Sequence, residues 1–473
     1  NAPDYNNGDL FSWSVAHGNG KFVIGAQEDD DASNSIYNSG SVYVYSDNGA
    51  YETRIVASDK ADSDRFGYSV AIAGNKIAVG APYNDDGGDG SGCIYTYNLD
   101  GTGENKIVAS DDAASDNFGI SIAMTSTYIF VGAPGESSNE GAVYRFDLDG
   151  TNQVKIVASD GAADDNFGYS VSIDEQNNKI IVGAYNDDDN GNNSGSVYVY
   201  NLDGTGEVKI TAGSSNGAAD DNFGTSVDAY NNLIVIGANG DGPGGSAYLY
   251  QNDGTFVAKI VASDSTAGDN FGVQVAVNST AVFVAASGGD ERSLSSTGTI
   301  YKFNRDGTNQ VKLTETSTAT NSQLGLSTLF ANENYILAGS RDAVNNQVEA
   351  GRAYIWKYES VAADYDYAQE VRTTIDNLTD DLNNGSNNHM WDFAATSVNR
   401  DATPIVTTRF SGEESLQLQP YQYVNSYSQN IINNFLVSVT GSHGLTQTTD
   451  TTITDSSYST LTSYSPSAAV YDA

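Results

Sequence analysis

Four short apolar segments between residues 66 and 111 decide the fold. They read Phe66-Gly67-Tyr68-Ser69-Val70-Ala71, Ile77-Ala78-Val79-Gly80-Ala81-Pro82, Ile94-Tyr95-Thr96-Tyr97 and Lys106-Ile107-Val108-Ala109-Ser110-Asp111. Apolar and polar residues alternate within them, and clusters of Gly, Asn and Asp separate them, which is typical of short half-buried β-strands. This stretch therefore predicts one unit of four strands.

The same unit recurs seven times between residues 11 and 358. Successive aromatic-glycine anchors lie about 48 to 56 residues apart, at Phe66-Gly67, Phe118-Gly119, Phe167-Gly168, Phe223-Gly224 and Phe271-Gly272, with weaker forms at Phe11-Ser12 and Leu324-Gly325. Repeats of this size indicate stacked or radial architectures. A four-stranded unit buries its faces poorly alone, whereas seven units around an axis cover one another. The sequence predicts an all-β fold, a seven-bladed β-propeller with four-stranded blades.

At these residues the chain resembles the FG-GAP repeat family, which includes the N-terminal propellers of integrin α subunits. The resemblance covers about residues 9–358. Besides the anchors it rests on Gly80-Ala81-Pro82 and Gly132-Ala133-Pro134, with degenerate forms at Gly25-Ala26-Gln27, Gly183-Ala184-Tyr185 and Gly237-Ala238-Asn239. Neither a Trp-Asp dipeptide nor paired glycines recur in phase, so other propeller families lack support. The resemblance implies a location outside the cell.

The composition limits the classes of partner that the protein can bind. Sixty-one acidic and 21 basic residues give a formal charge of −40, which repels nucleic acids and anionic lipids and favours cations or basic partners. A single cysteine, Cys93, excludes an intramolecular disulfide. No run of eighteen apolar residues is present, so we expect no membrane span. A chain that starts at Asn1 fits a cleaved secretory signal, and we expect an extracellular or cell-surface location.

The repeat pattern ends near residue 358, and the composition changes after residue 364. We therefore predict two domains, residues 1–364 for the propeller and residues 365–473 for a smaller β-rich C-terminal module. Val371, Ile375, Leu378 and Leu382 have the spacing of one short amphipathic helix. Strands are predicted at residues 403–410, 415–424, 431–439 and 446–454. The Ser-, Thr- and Tyr-rich end from residue 456 is interpreted as a docked tail.

Closing the ring needs one more strand than the repeats supply, because the seventh copy stops at Tyr358 without a clear fourth strand. That strand could come from residues 359–364, from the N-terminal residues or from another chain. The missing strand is therefore a clue to function.

Acidic loops follow the second strand in three copies and are candidate calcium sites. Their carboxylates are Asp29, Asp30 and Asp31 in the first copy, Asp85, Asp86 and Asp89 in the second, and Asp187, Asp188 and Asp189 in the fourth. Calcium takes six to eight oxygen ligands in flexible geometry. However, the calcium loop that the resemblance implies, Asp-x-Asp-x-Asp-Gly between the Phe-Gly and Gly-Ala-Pro strands, is missing here. Solvated turns on an acidic surface are the alternative.

Two further sets of residues recur in phase, and both favour a structural role. Aspartates precede the Phe-Gly anchors, and we expect them to cap turns by accepting backbone N–H bonds. Tyrosines alternate in the third strands, and we expect them to pack the blades, with a sugar-stacking surface as the alternative. The aspartates are Asp59, Asp62, Asp64, Asp111, Asp116, Asp160, Asp164, Asp165, Asp220, Asp221, Asp264 and Asp269, and the tyrosines include Tyr43, Tyr45, Tyr95, Tyr97, Tyr198, Tyr200, Tyr248 and Tyr250.

Catalytic motifs are not evident. His17, His389 and His443 lie in unrelated contexts, and no phosphate-binding loop or nucleophile elbow is present. We predict a protein that is not an enzyme and has no organic cofactor. Asn192, Asn278, Asn377 and Asn384 stand in N-glycosylation sequons, which permit glycans without requiring them.

Two functions remain open. The first is an extracellular structural or adhesive protein that self-associates through its C-terminal segment, with filament formation by strand addition as one outcome. The alternative is an integrin-like or lectin-like propeller that acts as a monomeric surface receptor for a protein or glycan. An enzyme would need a cluster of acid, base or metal ligands that the sequence does not show.

Overall fold

The structure is a computed structural model that describes residues 8–31, 35–213, 217–289, 296–313, 322–340, 351–357, 391–396, 405–411 and 415–420. The chain divides into two compact units, Asn1–Tyr358 and Glu359–Ala473. The domain boundary predicted after residue 364 falls outside the described residues.

The first unit is a ring of seven antiparallel sheets, each built from strands that are consecutive in the chain. Blades 1 to 3 are formed by β1 (Phe11–Gly18), β2 (Lys21–Ala26), β3 (Ser41–Ser46) and β4 (Tyr51–Ile55); β5 (Val70–Ala73), β6 (Lys76–Ala81), β7 (Cys93–Asn98) and β8 (Asn105–Ile107); and β9 (Ser121–Met124), β10 (Tyr128–Ala133), β11 (Ala142–Asp147) and β12 (Val154–Ile156).

Blades 4 to 7 follow in the same order. They are formed by β13 (Ser170–Asp174), β14 (Lys179–Ala184), β15 (Ser196–Asn201) and β16 (Val208–Ile210); β17 (Val227–Tyr230), β18 (Leu233–Ala238), β19 (Ser246–Tyr250) and β20 (Phe256–Ile260); β21 (Phe271–Val277), β22 (Ala281–Ala286), β23 (Thr299–Asn304) and β24 (Val311–Leu313); and β25 (Leu329–Ala331), β26 (Tyr335–Ser340) and β27 (Arg352–Lys357). The predicted seven-bladed β-propeller is confirmed.

The Phe-Gly anchors fill the interfaces between consecutive blades. Phe66 is fully buried, and its ring meets the ring of Tyr95 edge to face at 5.4 Å. Val23, Val42 and Val44 of blade 1 belong to the same apolar cluster. Equivalent edge-to-face pairs, Phe11–Tyr43, Phe118–Tyr144, Phe167–Tyr198, Phe223–Tyr248 and Phe271–Tyr301, have centroid distances of 5.3 to 5.5 Å. The tyrosines of the third strands therefore pack the blades, as predicted, and most of them are buried, whereas Tyr45 and Tyr354 are half-buried.

Close approach between neighbouring blades explains why the motif needs glycine. A Cβ atom on Gly80 of blade 2 would lie 2.1 Å from the carbonyl oxygen of Gly119 in blade 3. Gly119 itself has φ of +99°, a conformation that side chains with a Cβ rarely adopt. The Ser69 hydroxyl donates to the Gly119 carbonyl oxygen at 2.7 Å. The Phe-Gly and Gly-Ala segments are thus two halves of one contact between blades.

Blade 7 packs directly against blade 1 and closes the ring. Ser12 stands where other anchors have glycine and holds φ of +77°. Its hydroxyl donates to the Arg352 carbonyl oxygen at 2.8 Å, and its own carbonyl oxygen accepts from Ser327 at 3.3 Å. Leu324 is fully buried, as an anchor should be. Both degenerate anchors therefore occupy their predicted positions in the ring.

The described part of the seventh sheet has three strands, β25, β26 and β27. The candidate closing residues 359–364 and residues 1–7 lie outside the described residues. No sheet in the described part of the propeller borrows a strand from a distant part of the chain.

Three strands of the second unit are described: β28 (Trp391–Thr396), β29 (Ile405–Ser411) and β30 (Ser415–Pro420). They form an antiparallel sheet in the order β28-β29-β30. β29 and β30 overlap the strands predicted at 403–410 and 415–424, whereas β28 was not predicted. The predicted helix between Val371 and Leu382, the strands at 431–439 and 446–454 and the docked tail lie outside the described residues.

Candidate functional site

In blades 1 to 6 a Lys or Arg from the fourth, outermost strand lies over the first tyrosine of the third strand and pairs with carboxylates. In blade 4 the Lys209 ammonium nitrogen is 5.1 Å from the ring centroid of Tyr198. It pairs with Asp160 and Asp187 at 2.8 Å and with Asp189 at 2.6 Å. These partners hold the pKa of Lys209 above its usual value although burial opposes this. Cation–π attraction and ion pairing act together here.

The lysine cage, as we name this arrangement, recurs around the ring. The cations are Arg54, Lys106, Lys155, Lys209, Lys259 and Lys312, each 5.1 to 5.8 Å from the centroid of its tyrosine. Their carboxylate partners include Asp29, Asp59, Asp111, Glu136, Asp241 and Asp264. Lys106, Lys155 and Lys209 each pair with one carboxylate in the loop after the previous blade's outer strand and with another in the loop after the second strand of their own blade. These cages therefore connect neighbouring blades.

The carboxylates predicted to bind calcium take three distinct positions in their loops. The first is buried and faces a cation: Asp29 accepts from Arg54 and from the Tyr43 hydroxyl, both at 2.8 Å, and Asp187 faces Lys209. The second accepts a backbone N–H within the loop: Asp30 from Asn38, Asp85 from Gly90 and Asp188 from Asn193, at 2.7 to 2.8 Å. The third pairs with a lysine: Asp31 with Lys60, Asp86 with Lys106 and Asp189 with Lys209.

Calcium at these loops would compete with the protein's own cations. An ion at Asp86 or Asp189 would have to displace a lysine, while Asp89 is exposed and its carbonyl oxygen accepts from the Ser115 N–H at 2.8 Å. In the described ranges, no group of three or more His, Cys, Asp or Glu side chains is arranged to hold a metal ion. Calcium binding stays a prediction.

Five of the twelve aspartates before the anchors cap turns in the predicted way. Asp64, Asp116, Asp165, Asp221 and Asp269 each accept the backbone N–H three residues earlier at 2.6 to 2.9 Å. Burial raises the pKa of Asp64, Asp116 and Asp165 to about 6 despite these bonds. By contrast Asp59, Asp111, Asp160 and Asp264 belong to lysine cages, a partnership that the sequence reading did not recognise.

These raised pKa values predict that mild acid stabilises the propeller. Between the unfolded value of 3.8 and the folded value of about 6, the folded state binds more protons than the unfolded state. The free energy of unfolding should therefore rise as the pH falls from 7.5 to 5, and urea denaturation across this range measures it. Below about pH 4 the trend should reverse, because Lys106 and Tyr95 keep the pKa of Asp59 low although burial opposes them.

The combined replacement of Asp64, Asp116 and Asp165 by asparagine keeps an acceptor oxygen but removes the titration. The free energy of unfolding of this variant should change less between pH 7.5 and 5 than that of the wild-type protein. A free energy of unfolding of the wild-type protein that falls steadily as the pH drops from 7.5 to 5 would contradict these raised pKa values.

One end of the central channel opens through a group of aromatic side chains. Trp13, Tyr68 and Tyr169 directly follow the anchors of blades 1, 2 and 4 and line a cavity of about 500 Å³. The ring of Tyr68 lies 5.6 Å from Trp13 and 6.0 Å from Tyr83, and Tyr169 lies 4.4 Å from Tyr185. We name these five residues the aromatic mouth.

The residues around the aromatic mouth differ from blade to blade. The positions that match Trp13 in blades 3, 5, 6 and 7 are Ile120, Thr225, Val273 and Leu326, which line the same cavity. Burial and the neighbouring tyrosines raise the pKa of Tyr68 and Tyr169, so both hydroxyls remain uncharged donors near neutral pH. Tyr169 is 37% exposed. The sequence reading missed this cluster, whose signal was an aromatic residue directly after the anchor in three copies.

The opposite end of the channel, a cavity of about 460 Å³, is lined by apolar side chains together with polar ones that include His17, Asp228 and Asn332. His17 approaches Asp47 at 2.7 Å and Asn332 at 2.8 Å. Burial raises the pKa of Asp228 to about 6, and its carboxylate accepts from the Ser172 hydroxyl at 2.7 Å. These polar groups are held by structural hydrogen bonds. His389 and His443 lie outside the described residues.

The remaining predicted positions differ in accessibility. Asn192 is exposed, whereas Asn278 is buried and its amide donates to the Asn332 carbonyl oxygen at 2.9 Å. Asn377 and Asn384 lie outside the described residues, and glycosylation stays a prediction. Cys93 is fully buried, and burial raises its pKa to about 12, so it is a packing residue. No helix in the described ranges is long and apolar enough to cross a membrane.

The fold and its anchors define the class, a seven-bladed propeller built from Phe-Gly and Gly-Ala repeats. Six stretches match the FG-GAP repeat, at residues 1–45, 51–97, 102–146, 151–200, 205–250 and 255–303. Because these stretches cover more than half of the chain, it belongs to the FG-GAP repeat family. No curated protein matches it.

Proposed function

We propose that this protein is an extracellular, integrin-like binding propeller that holds a protein or glycan partner at the aromatic mouth. The observation that carries the proposal is the grouping of five aromatic side chains at one channel opening, three of which line its cavity. Aromatic rings supply large contact areas at low entropic cost, and concave sites rich in them are typical ligand sites.

The net charge of the chain and the aromatic rings of the mouth favour a basic or sugar-bearing partner. The formal charge of −40 draws basic surfaces towards the protein. The face of an aromatic ring attracts cations, and Arg65 already lies 4.8 Å from the centroid of Tyr83. The uncharged hydroxyls of Tyr68 and Tyr169 can donate to a partner, and the ring faces offer stacking area.

The proposed role is binding without catalysis or an organic cofactor. The polar groups at the opposite end of the channel support this role, because His17 and Asp228 already form hydrogen bonds with neighbouring residues. A nucleic-acid partner is disfavoured by the charge of the chain.

A second candidate role is self-association into an adhesive or structural assembly, with a filament as its open-ended form. The observation that favours it is Ile355 on β27, which is 40% exposed. β27 is the outermost described strand of its sheet, and the backbone N–H and C=O groups of an edge strand are where another strand can add.

Substitutions at the mouth test the binding proposal. Tyr169→Ala should weaken binding to the glycans or basic peptides selected from an array by about thirtyfold, because truncating a central aromatic contact costs about 2 kcal/mol. Phe256→Ala is the matched control, since Phe256 is 49% exposed on the outer strand β20. Equal affinity of the two variants would overturn the mouth as the binding site.

A further inference from the structure

We propose that the aromatic mouth holds an uncharged sugar, whose hydroxyl groups are bound by Gln274 and by the tyrosines Tyr68 and Tyr169. The inference deepens the binding role proposed above and rests on it. It commits to one class of ligand, a neutral hexopyranose at the end of a glycan. It also assigns a binding residue, Gln274, beyond the five that define the mouth.

The cavity at the mouth is uncharged, although the chain carries 61 acidic residues. No Asp, Glu, Lys, Arg or His stands among the described residues that line it. At its rim Arg65, which lies on the ring of Tyr83, pairs with Glu28 at 3.6 Å, so these two charges offset each other. A charged ligand group would lose its hydration in the cavity without meeting a counterion, which is costly. The cavity therefore favours an uncharged ligand.

The tyrosines of the mouth differ in their hydrogen bonds from the tyrosines that pack the blades. The hydroxyls of Tyr95, Tyr198 and Tyr301 donate to aspartates at 2.7 to 3.0 Å. The hydroxyls of Tyr68 and Tyr169 have no hydrogen-bond partner among the described residues, and burial raises the pKa of both, so they stay protonated donors. Because tyrosine hydroxyls in such sites usually have a partner, these two are available to a ligand.

Gln274 departs from the repeat in the wall of the channel. The third residue after the start of each anchor is serine in the other six blades: Ser14, Ser69, Ser121, Ser170, Ser226 and Ser327. In blades 1 to 4 this serine donates to a glycine carbonyl oxygen of the next blade at 2.7 to 2.8 Å. The amide of Gln274 has no such bond in the described part of the ring, and Gln274 lines both cavities of the channel. A departure of this kind from a structural pattern points to function.

The aromatic and the polar groups of the mouth lie on different arcs of the ring. Trp13, Tyr68 and Tyr169 belong to blades 1, 2 and 4, whereas Thr225 and Gln274 belong to blades 5 and 6. A pyranose ring has an apolar C–H face and a rim of hydroxyl groups that donate and accept. Aromatic rings can cover the apolar face, and a glutamine amide both donates to and accepts from hydroxyls. The two arcs therefore match the two parts of a sugar ring.

Titration of the full chain with methyl glycosides, followed by saturation-transfer NMR, tests the class of ligand. The probes are the methyl glycosides of glucose, galactose and mannose, each beside its 2-amino and uronic acid counterparts, together with tetralysine. At least one neutral glycoside should bind, and its charged counterparts should bind at least about tenfold more weakly because they lose hydration in an uncharged cavity. Charged counterparts that bind as tightly as the neutral sugar would overturn the inference.

Two conservative variants test the binding residues. Gln274→Ser restores the residue of the other six blades, so it should unfold in urea like the wild-type chain, and it should weaken the neutral glycoside by about tenfold. Tyr169→Phe keeps the ring, removes the hydroxyl and should weaken it by about fivefold. Gln176→Ser in the opposite cavity and Tyr51→Phe on β4 are the matched controls and should bind like the wild-type chain. Unchanged affinity in both mouth variants would overturn the assignment.

The same titrations separate failure of this inference from failure of the binding role. Binding of tetralysine that Tyr169→Ala weakens, with no glycoside bound, would overturn the sugar and leave the mouth as a binding site. Binding of any probe that Tyr169→Ala leaves unchanged would remove the mouth as its site and overturn both. A chain that binds none of these probes would overturn the inference, while the array-selected partners test the binding role independently.

Discussion

Replacement of Lys209 by methionine is expected to lower the free energy of unfolding by about 3 kcal/mol, because it leaves buried negative charge without its cation. The side chain of Asp187 is 4% exposed and faces this lysine at 2.8 Å. Asp160 and Asp189 lose the same partner and would repel each other and Asp187. Urea denaturation of the full chain at pH 7.5 measures the loss.

Lys179→Met is the matched control. Lys179 is also partly buried in blade 4, but it donates to the neutral amide oxygen of Asn201 at 2.7 Å, so its loss should cost about 1 kcal/mol. Adding Asp187→Asn to Lys209→Met should recover part of the stability, since it removes the buried charge. Equal losses for the two lysine variants would show that the cage does not stabilise the blade.

Replacement of Asp174 by alanine is expected to cost about 4 kcal/mol, since it leaves the buried amide of Asn252 and two partly buried backbone N–H groups without their charged acceptor. Asp174 is fully buried at the end of β13. It accepts from the backbone N–H groups of Asn231 and Asn232 at 3.0 and 2.7 Å and from the Asn252 amide at 2.8 Å. The carboxylate therefore joins blade 4 to blade 5.

The turn that Asp174 holds is conformationally demanding. Asn231 and Asn232 have φ of +48° and +62°, as a tight hairpin requires of both central residues. Hydrogen exchange in the Asn231–Asn232 turn should accelerate in the alanine variant. Glu175→Ala, at the exposed neighbouring position, should leave stability within about 0.5 kcal/mol. A similar small effect for Asp174→Ala would contradict its role as a joint between blades.

The ring was predictable because its determinants are local and repeated. Each Phe-Gly anchor faces the same steric demand, so one requirement appears in the sequence seven times in phase. The anchor that lacks glycine can also be explained. Ser12 adopts a positive φ, and its hydroxyl donates a hydrogen bond to blade 7.

The cages and the mouth could not be predicted in the same way. Lys106 meets Asp59 across 47 residues, and nothing in either local sequence specifies that pairing. Acidic loops read alone indicated calcium, whereas in the fold their carboxylates face lysines and backbone N–H groups. The mouth depends on residues from three blades that converge only when the ring closes.

The most direct test of the binding account uses Trp13 as a reporter. Trp13, Trp356 and Trp391 are the three tryptophans of the chain, so a variant with Trp356→Phe and Trp391→Phe leaves only the one at the mouth. Titration with an array-selected glycan or basic peptide should change the Trp13 emission to saturation, with the same affinity as direct binding, and Tyr169→Ala should weaken both equally. Binding that saturates without any change in Trp13 emission would place the partner elsewhere and contradict the account.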